Sequence, residues 1–181
     1  MFEKGDEFMG LYAIGDLHFS TENPKPMNIF GGNWDNHEKK IVDNWSETVK
    51  DDDTVLVLGD TSWAMNLNEA KSDLDIIESL PGKKIFIKGN HDYWWSSLSK
   101  INAVYESDDM NFIQNGYFTY EDYAICGSRG WLCPNEVKFD SNDMKIYRRE
   151  VLRLEMSIQS AIQNVCNNII VITQYPPTND Q

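Results

Sequence analysis

Three short apolar runs in this chain each end in a glycine that is followed by acidic, amide or imidazole side chains. The three endings are Ile14-Gly15-Asp16-Leu17-His18, Leu58-Gly59-Asp60 and Lys88-Gly89-Asn90-His91-Asp92. Runs of this kind are typical of buried strands, and open α/β sheets bind ligands at the carboxyl ends of their strands. One such ending is common, but three in this order predict a metal cluster at one edge of a sheet.

The rest of the chain alternates between strand-like and helix-like segments. Residues 54–58, TVLVL, form a continuous β-branched run, as expected for a strand that is covered on both faces. Later strands at 112–113 and 117–126 flank Asn115-Gly116, which is a hairpin signal. Four segments are predicted to be helical: 36–50, 66–80, 95–105 and 143–165. This order predicts an α/β sandwich with a mixed sheet, built by residues 1–181 as a single domain.

Composition and charge narrow the classes of function. The 181 residues carry a formal net charge of -13, which disfavours nucleic acid as a partner because phosphate neutralisation needs clustered Lys and Arg. A phosphate substrate stays compatible, since divalent cations reverse the local sign of a pocket. No apolar run reaches the roughly 18 residues of a membrane span, and no secretory signal is visible. Three cysteines without a CxxC pair favour a reducing compartment, so we expect a cytoplasmic protein without disulfides.

The residue types in the three endings suit metal ligation. Residues i and i+2 of an extended segment point the same way, so Asp16 and His18 can hold one ion. Asp60 ends a neighbouring strand and can bridge two ions, while Asn90 offers a neutral amide oxygen. Mixed oxygen and nitrogen ligands fit Mn²⁺, Fe or Zn²⁺ better than a thiolate site would. Two ions about 3.5–4 Å apart can clamp both oxygens of a displacement at phosphorus.

The segments GDLH, VLGD and KGNHD, followed by an apolar strand into Tyr175-Pro176-Pro177, resemble the calcineurin-like metallophosphoesterase superfamily, and in particular its bacterial predicted phosphohydrolases. The resemblance spans nearly the whole chain. It implies a four-layer α/β/β/α sandwich with mixed sheets. It also implies two divalent metal ions and hydrolysis of a phosphomonoester or phosphodiester by a metal-bridging hydroxide, with a small phosphate ester as the substrate.

The resemblance also assigns roles to single residues. Asp16 and His18 would bind the first ion, Asp60 would bridge both ions, and Asn90 would bind the second. His91 would not ligate metal but would stabilise the substrate phosphate or protonate the leaving oxygen.

Asp92 follows this histidine directly in the sequence. It would orient the His91 imidazole through a hydrogen bond, as carboxylates outside the ligand sphere often do.

Two departures from the family pattern favour a second hypothesis. The family has a metal-binding histidine, as in HYPP, where this chain has Gln174, which is either a weak neutral ligand or a polar residue at the edge of the site. The closing Gly-His-x-His strand ending of the family does not occur before Gln181. The alternative function is therefore a catalytically impaired or incomplete phosphate- and metal-binding module. Without the closing strand, an unpaired sheet edge would favour a homodimer.

Three other residues have two interpretations each. Trp94 either forms a wall of the substrate pocket or belongs to the core, as aromatic residues usually do. Arg129 either contacts a substrate phosphate bidentately or lies on the surface. His37 lies at a polar helix start and is predicted to be a solvated surface histidine rather than a substrate contact.

Overall fold

The computed structural model describes residues 9–134, 139–164, 166 and 168–177. Two 3-10 segments, Met27–Phe30 and Gly32–Trp34, lie in the long loop after the first strand. The strands and α-helices, in chain order, are β1 (Leu11–Ile14), α1 (His37–Thr48), β2 (Thr54–Val57), α2 (Leu67–Ser79), β3 (Lys83–Phe86), α3 (Leu98–Asn102), β4 (Met110–Phe112), β5 (Tyr117–Tyr120), β6 (Tyr123–Ser128), α4 (Ser141–Gln163) and β7 (Asn168–Thr173).

The strands form two sheets. The first has the order β1-β2-β3-β4 and is parallel throughout, with Ile14 paired to Val57 and Val57 paired to Phe86. The second has the order β5-β6-β7, in which β5 runs antiparallel and β7 parallel to β6. Because the first sheet is parallel, the carboxyl ends of β1, β2 and β3 lie at one edge, which is where the three glycine-containing endings begin.

Side-chain alternation along the strands divides the core into separate layers. Val55 and Val57 pack in a cluster with side chains from α1, α2 and α3. Leu56, between them, faces the other way and packs with Ile125 and Ile172 of the second sheet. The opposite face of that sheet meets α4 through a cluster of Ala124, Cys126 and Ala161. The order helix, sheet, sheet, helix is the predicted four-layer α/β/β/α sandwich.

Local sequence explains where the two longest helices begin. The side chain of Asn66 accepts a hydrogen bond from Glu69 N at the start of α2. A capping box between Asp140 and Asp143 starts α4, and each side chain accepts a hydrogen bond from the backbone of the other residue. The predicted helix 143–165 corresponds to α4, and Val165 lies outside the described residues.

The hairpin predicted at Asn115-Gly116 is wrong. β4 pairs in parallel with β3 in the first sheet, whereas β5 belongs to the second sheet, so Asn115-Gly116 connects two sheets. The hairpin turn lies instead at Glu121-Asp122, between β5 and β6. The predicted helix 95–105 is also too long, because helical structure is confined to Leu98–Asn102.

The cysteines and the apolarity of the helices bear on the predictions made from composition. Cys126, Cys133 and Cys166 are all free thiols. Among the helices within the described ranges, none is both long enough and apolar enough to cross a bilayer.

Candidate metal centre

The segments after β1 and β2 run side by side beyond the end of the sheet. Asp16 N donates to Gly59 O at 3.1 Å, and His18 N donates to Asp60 O at 2.9 Å. These two bonds extend the pairing of β1 with β2 past the last strand residues. They fix the three side chains of Asp16, His18 and Asp60 at the same edge of the sheet.

All three of these residues have left-handed backbone conformations. The φ angles are 55° at Asp16, 50° at His18 and 52° at Asp60. Each such conformation costs about 1–3 kcal/mol in a residue that is not glycine, and such strain clusters at functional sites. The prediction from extended i, i+2 spacing is therefore wrong about the local geometry, although Asp16 and His18 do come together. The left-handed turns, rather than the pleat of a strand, direct the two side chains to one point.

The distances within this group fit ligation of a shared ion. His18 Nε2 lies 3.6 Å from Asp16 Oδ1 and 3.8 Å from Asp60 Oδ2. The three candidate ligand atoms all lie within 4.8 Å of one another. Two atoms that each bind one ion at about 2.1 Å lie at most about 4.2 Å apart, so both His18 distances are compatible with a common ion.

Exposure differs sharply between the two carboxylates of the group. The Asp16 side chain is 61% exposed, whereas the Asp60 side chain is 3% exposed. A buried carboxylate without a cation is costly, so a cation beside Asp60 offsets the loss of water. Solvent and ligands therefore reach this group from the Asp16 side.

The imidazole of His18 is held by aromatic packing. Its ring stacks on Trp63, with ring centroids 4.7 Å apart and an interplanar angle of 21°. His18 Nδ1 is buried and has no hydrogen-bond partner within the described part of the chain. Metal-binding histidines usually donate their second ring N–H to an acceptor. Here the stack on Trp63 fixes the ring orientation instead.

The second half of the site lies where the segment after β3 meets the end of β7. Asn90 N donates to Gln174 Oε1 at 2.9 Å, which brings these two candidate ligands together. His91 N donates to Asp60 Oδ1 at 2.8 Å, so this segment also contacts the first half. The backbone N–H of Gln174 in turn donates to Arg129 O at 3.2 Å. All five predicted ligands thus lie in one contiguous network of contacts.

The His91 ring lies beside the first half of the site. Its centroid is 4.7 Å from Trp63 and 5.9 Å from the His18 ring. His91 Nδ1 is buried and lacks a partner among the residues that the structure describes. The imidazole is therefore close to the candidate ligands, while its Nδ1 makes no hydrogen bond to any described residue.

Asp92 does not orient His91, contrary to the prediction. Its carboxylate is fully buried and accepts hydrogen bonds from the backbone amides of the neighbouring segments and from the Trp94 indole. Oδ2 accepts from Asp60 N at 2.9 Å and Gly89 N at 2.7 Å, and Oδ1 accepts from Thr61 N at 2.7 Å. Burial raises the pKa of Asp92, against the opposing effect of the bonds from Gly89 and Thr61. Asp92 holds the backbone that carries the site.

The approach of two glycines makes this arrangement possible. A Cβ on Gly89 would lie 2.1 Å from both N and Oδ1 of Asp60. Gly59 has a φ of 92°, and a Cβ there would lie 2.6 Å from Gly89 Cα. Any side chain at either position would separate the segments that follow β2 and β3.

The two residues predicted to contact the substrate are both held by contacts inside the protein. Trp94 is 1% exposed and packs in the core, so its predicted role as a pocket wall is wrong. Arg129 is also not a surface residue: its Nη2 donates to Glu150 Oε1 at 3.2 Å, and its guanidinium lies over the ring of Trp131. Burial lowers the pKa of Arg129, an effect that Glu150 opposes.

More side chains surround His18 than the sequence indicated. His37 is half-buried, with Nε2 3.3 Å from His18 O, rather than being a solvated surface residue. Lys25 Nζ lies 4.2 Å from the centroid of Trp63, and Trp34 packs edge-on against His37. The only sequence signal for these contacts was that Trp63 follows Asp60 by three positions. Nothing in the local sequence indicated that Lys25 would lie near Trp63 or that His37 would contact His18.

The chain matches one family model and is similar to two other proteins. The calcineurin-like phosphoesterase family model matches residues 9–181. An uncharacterized protein of Methanocaldococcus jannaschii is 37% identical over 83 residues, a match that covers 45% of this chain and 46% of that protein's length. A crystal structure of a protein of unknown function from Aquifex aeolicus aligns with a TM-score of 0.48 and 24% identity, covering 89% of this chain and 76% of that one. The chain belongs to the calcineurin-like phosphoesterase family, whose members typically bind divalent metal ions.

Proposed function

We propose that this chain is a metal-dependent phosphoesterase that hydrolyses a small phosphomonoester or phosphodiester. The observation that carries the proposal is the convergence of Asp16, His18 and Asp60, all in left-handed conformations, with ligand atoms within 4.8 Å of one another. Backbone strain of this kind persists only where the surrounding structure imposes it, and it clusters at active sites. Membership of the family supports a phosphate ester as the substrate class.

The chain's own residues would hold two divalent ions such as Mn²⁺, Fe or Zn²⁺. Asp16, His18 and Asp60 would hold the first, and Asp60, Asn90 and Gln174 would hold the second. When bound, such ions supply Lewis acidity toward the phosphoryl group and an activated water as nucleophile. The buried carboxylate of Asp60 is the residue common to both sets, and its backbone is fixed by Asp92.

His91 would act on the substrate rather than on the ions. Its ring lies next to the candidate ligands, and Nδ1 has no protein partner within the described residues. An imidazolium in this position can donate a proton to the leaving oxygen, as positioned histidines do in general acid catalysis. Trp63 packs against both imidazoles and keeps the two rings in fixed relative positions.

The test is metal content and turnover of the Asp60→Asn variant. The wild-type chain, loaded with Mn²⁺ and desalted, is expected to retain about two ions and to hydrolyse p-nitrophenyl phosphate or its bis-ester. Asp60→Asn should lose both properties, whereas Asp52→Asn, which removes an exposed carboxylate elsewhere, should keep them. Full metal-dependent turnover in Asp60→Asn would contradict the mechanism.

A second function, that of a catalytically impaired phosphate- and metal-binding module, is favoured by the contact of Gln174. Its Oε1 already accepts a hydrogen bond from Asn90 N, which weakens a neutral oxygen as a ligand. On this hypothesis the wild-type chain retains one ion, and Gln174→His raises both the metal content and the rate. Enzyme-like turnover by the wild-type chain would contradict the second function and support the first.

A further inference from the structure

A cavity of about 330 Å³ lies between the end of β3, the segment before α3, the end of β6 and α4. Its walls include Lys88, Trp95, Gln114, Arg129 and Arg153. None of the five candidate metal ligands lines it. The cavity borders the metal centre, because Arg129 O accepts a hydrogen bond from Gln174 N, but the proposed function does not use it.

Positive charge is concentrated around this cavity. The buried carboxylate of Glu150 receives three arginines on one oxygen, Oε1, from Arg153 at 3.0 Å, Arg129 at 3.2 Å and Arg149 at 3.4 Å. Among the described residues that line the cavity, Glu150 is the only carboxylate. Lys88 adds a fourth cation to the cluster, and its ammonium group has no hydrogen bond or ion pair among the described residues.

Neutralising Glu150 does not require this many cations. One well-placed guanidinium compensates a buried carboxylate, and each further cation nearby is repelled by the first. The half-buried ammonium of Lys88 has also lost part of its hydration without gaining a partner among the described residues. Such a cluster is notable in a chain whose formal net charge is -13. An anion in the space between these cations would relieve their mutual repulsion.

We propose that this cavity binds a small oxyanion ligand, one that presents phosphate or carboxylate oxygens to Lys88, Arg129 and Arg153. Each arginine uses one N–H on Glu150 and retains other donors for a ligand, and guanidinium groups match the planar pairs of oxygens in such anions. The volume is at the lower end of the range for small-molecule sites, which suits a compact organic anion. Trp95 and Ile113 supply apolar surface for the remainder of the ligand.

The experiment measures the binding of pyrophosphate and of citrate to the wild-type chain by isothermal titration calorimetry. Metal is removed beforehand with EDTA, and the chelator, itself a polycarboxylate, is then dialysed away, so that neither metal nor chelator contributes. The ionic strength is held at about 0.15 M to screen non-specific attraction. The first probe carries phosphate oxygens and the second carboxylate oxygens, so the probe that binds identifies the chemistry that the cavity recognises. We expect saturable binding of one probe molecule per chain.

Arg153→Gln and Arg149→Gln are a matched pair of variants. Both side chains bond to Glu150 Oε1, but only Arg153 lines the cavity. We expect Arg153→Gln and Lys88→Gln each to weaken binding on the order of tenfold, because each removes a charged donor to the ligand. Arg149→Gln should weaken it by less than about threefold, as expected for a charge outside the site.

Two results would overturn the proposal. The first is the absence of saturable binding of either probe to the wild-type chain. The second is an equal loss of affinity in Arg149→Gln and Arg153→Gln, which would assign the binding to the general charge of the helix. Urea unfolding of each variant verifies that it is folded. Because the titration uses metal-free protein, its outcome does not depend on whether the chain is a metal-dependent phosphoesterase.

Discussion

The Asp92 carboxylate fixes the backbone of Asp60, through a hydrogen bond of 2.9 Å from Asp60 N to Asp92 Oδ2. The same carboxylate binds the amides of Gly89 and Thr61, so that one buried side chain joins the segments that follow β2 and β3. The position of the candidate bridging ligand therefore depends on a residue outside the set of candidate ligands.

We expect Asp92→Asn to lower the free energy of unfolding by about 3 kcal/mol, because the new amide N–H groups would face buried donors that have lost their acceptor. Urea unfolding in EDTA at pH 7 measures this change without a contribution from metal. Asp108→Asn, at an exposed position, is the control and should change stability by less than about 0.5 kcal/mol. Equal stability of Asp92→Asn and the wild type would contradict the proposed role of Asp92.

His91→Gln should separate chemistry from ion binding. If His91 donates a proton to the leaving oxygen, kcat falls by about 10²–10⁴ while the metal content stays at the wild-type value. Elemental analysis and steady-state kinetics on the same preparation measure both quantities. Loss of metal in this variant would instead make His91 a ligand or a support for one.

Gly89→Ala tests the close approach of the segments after β2 and β3. The new Cβ would lie 2.1 Å from Asp60 N, so one segment has to shift. We expect a loss of stability of about 3 kcal/mol, as for severe overpacking, together with weaker Mn²⁺ binding. Gly116→Ala is the matched control, since a Cβ there meets nothing within 4 Å. Similar metal affinity in the two variants would show that the approach is not required.

The stability of the fold should depend on pH through Asp53. Hydrogen bonds from the backbone amides of Lys50 and Gly10 hold the pKa of Asp53 below its usual value of 3.8. Since the pKa is depressed in the folded state, the stabilisation is fully present above about pH 4 and is lost as the pH falls through the folded-state pKa.

Asp53→Asn should therefore be less stable than the wild type at pH 7, and the two stabilities should converge as the pH falls below 3.8. Urea unfolding midpoints across this range measure the convergence. Asp52→Asn, at the exposed neighbouring position, should follow the wild type throughout. A constant difference between Asp53→Asn and the wild type at every pH would exclude the titration of Asp53 as the cause.

The edge of the first sheet could be predicted because the relevant information is local. Apolar β-branched runs such as 54–58 specify buried strands, and parallel pairing then brings their carboxyl ends together. That topology places Asp16, His18 and Asp60 at one edge of the sheet, and the left-handed turns bring their side chains together. Their backbone conformations do not, because nothing in the residue types Asp and His requires a positive φ.

The failed hairpin shows where local signals are insufficient. Asn-Gly favours a tight turn, but the pairing of the flanking strands decides whether a hairpin forms. Phe112 of β4 stacks on Phe86 of β3 with ring centroids 4.8 Å apart, so β4 is recruited to the first sheet. The burial of β4 side chains against β3 therefore outweighed the preference of Asn115-Gly116 for a tight hairpin turn.

The surroundings of Asp92 and Arg129 could not be predicted from their sequence neighbours, for a common reason. Each of these two residues makes polar contacts with a group that only the tertiary structure brings near. Asp92 and Arg129 bind partners 32 and 21 positions away in the chain. Short-range spacing contains no information about such partners.

The packing of Trp63 against His18 gives the candidate metal centre an optical reporter. The indole stacks on one imidazole, borders a second, and has the Lys25 ammonium 4.2 Å from its ring centroid. Any event that changes the charge on either imidazole also changes the electric field across this indole, and hence its fluorescence emission. The difference in emission between the wild-type chain and Trp63→Phe therefore isolates one of the six tryptophans, and it follows occupancy of the centre without any added label.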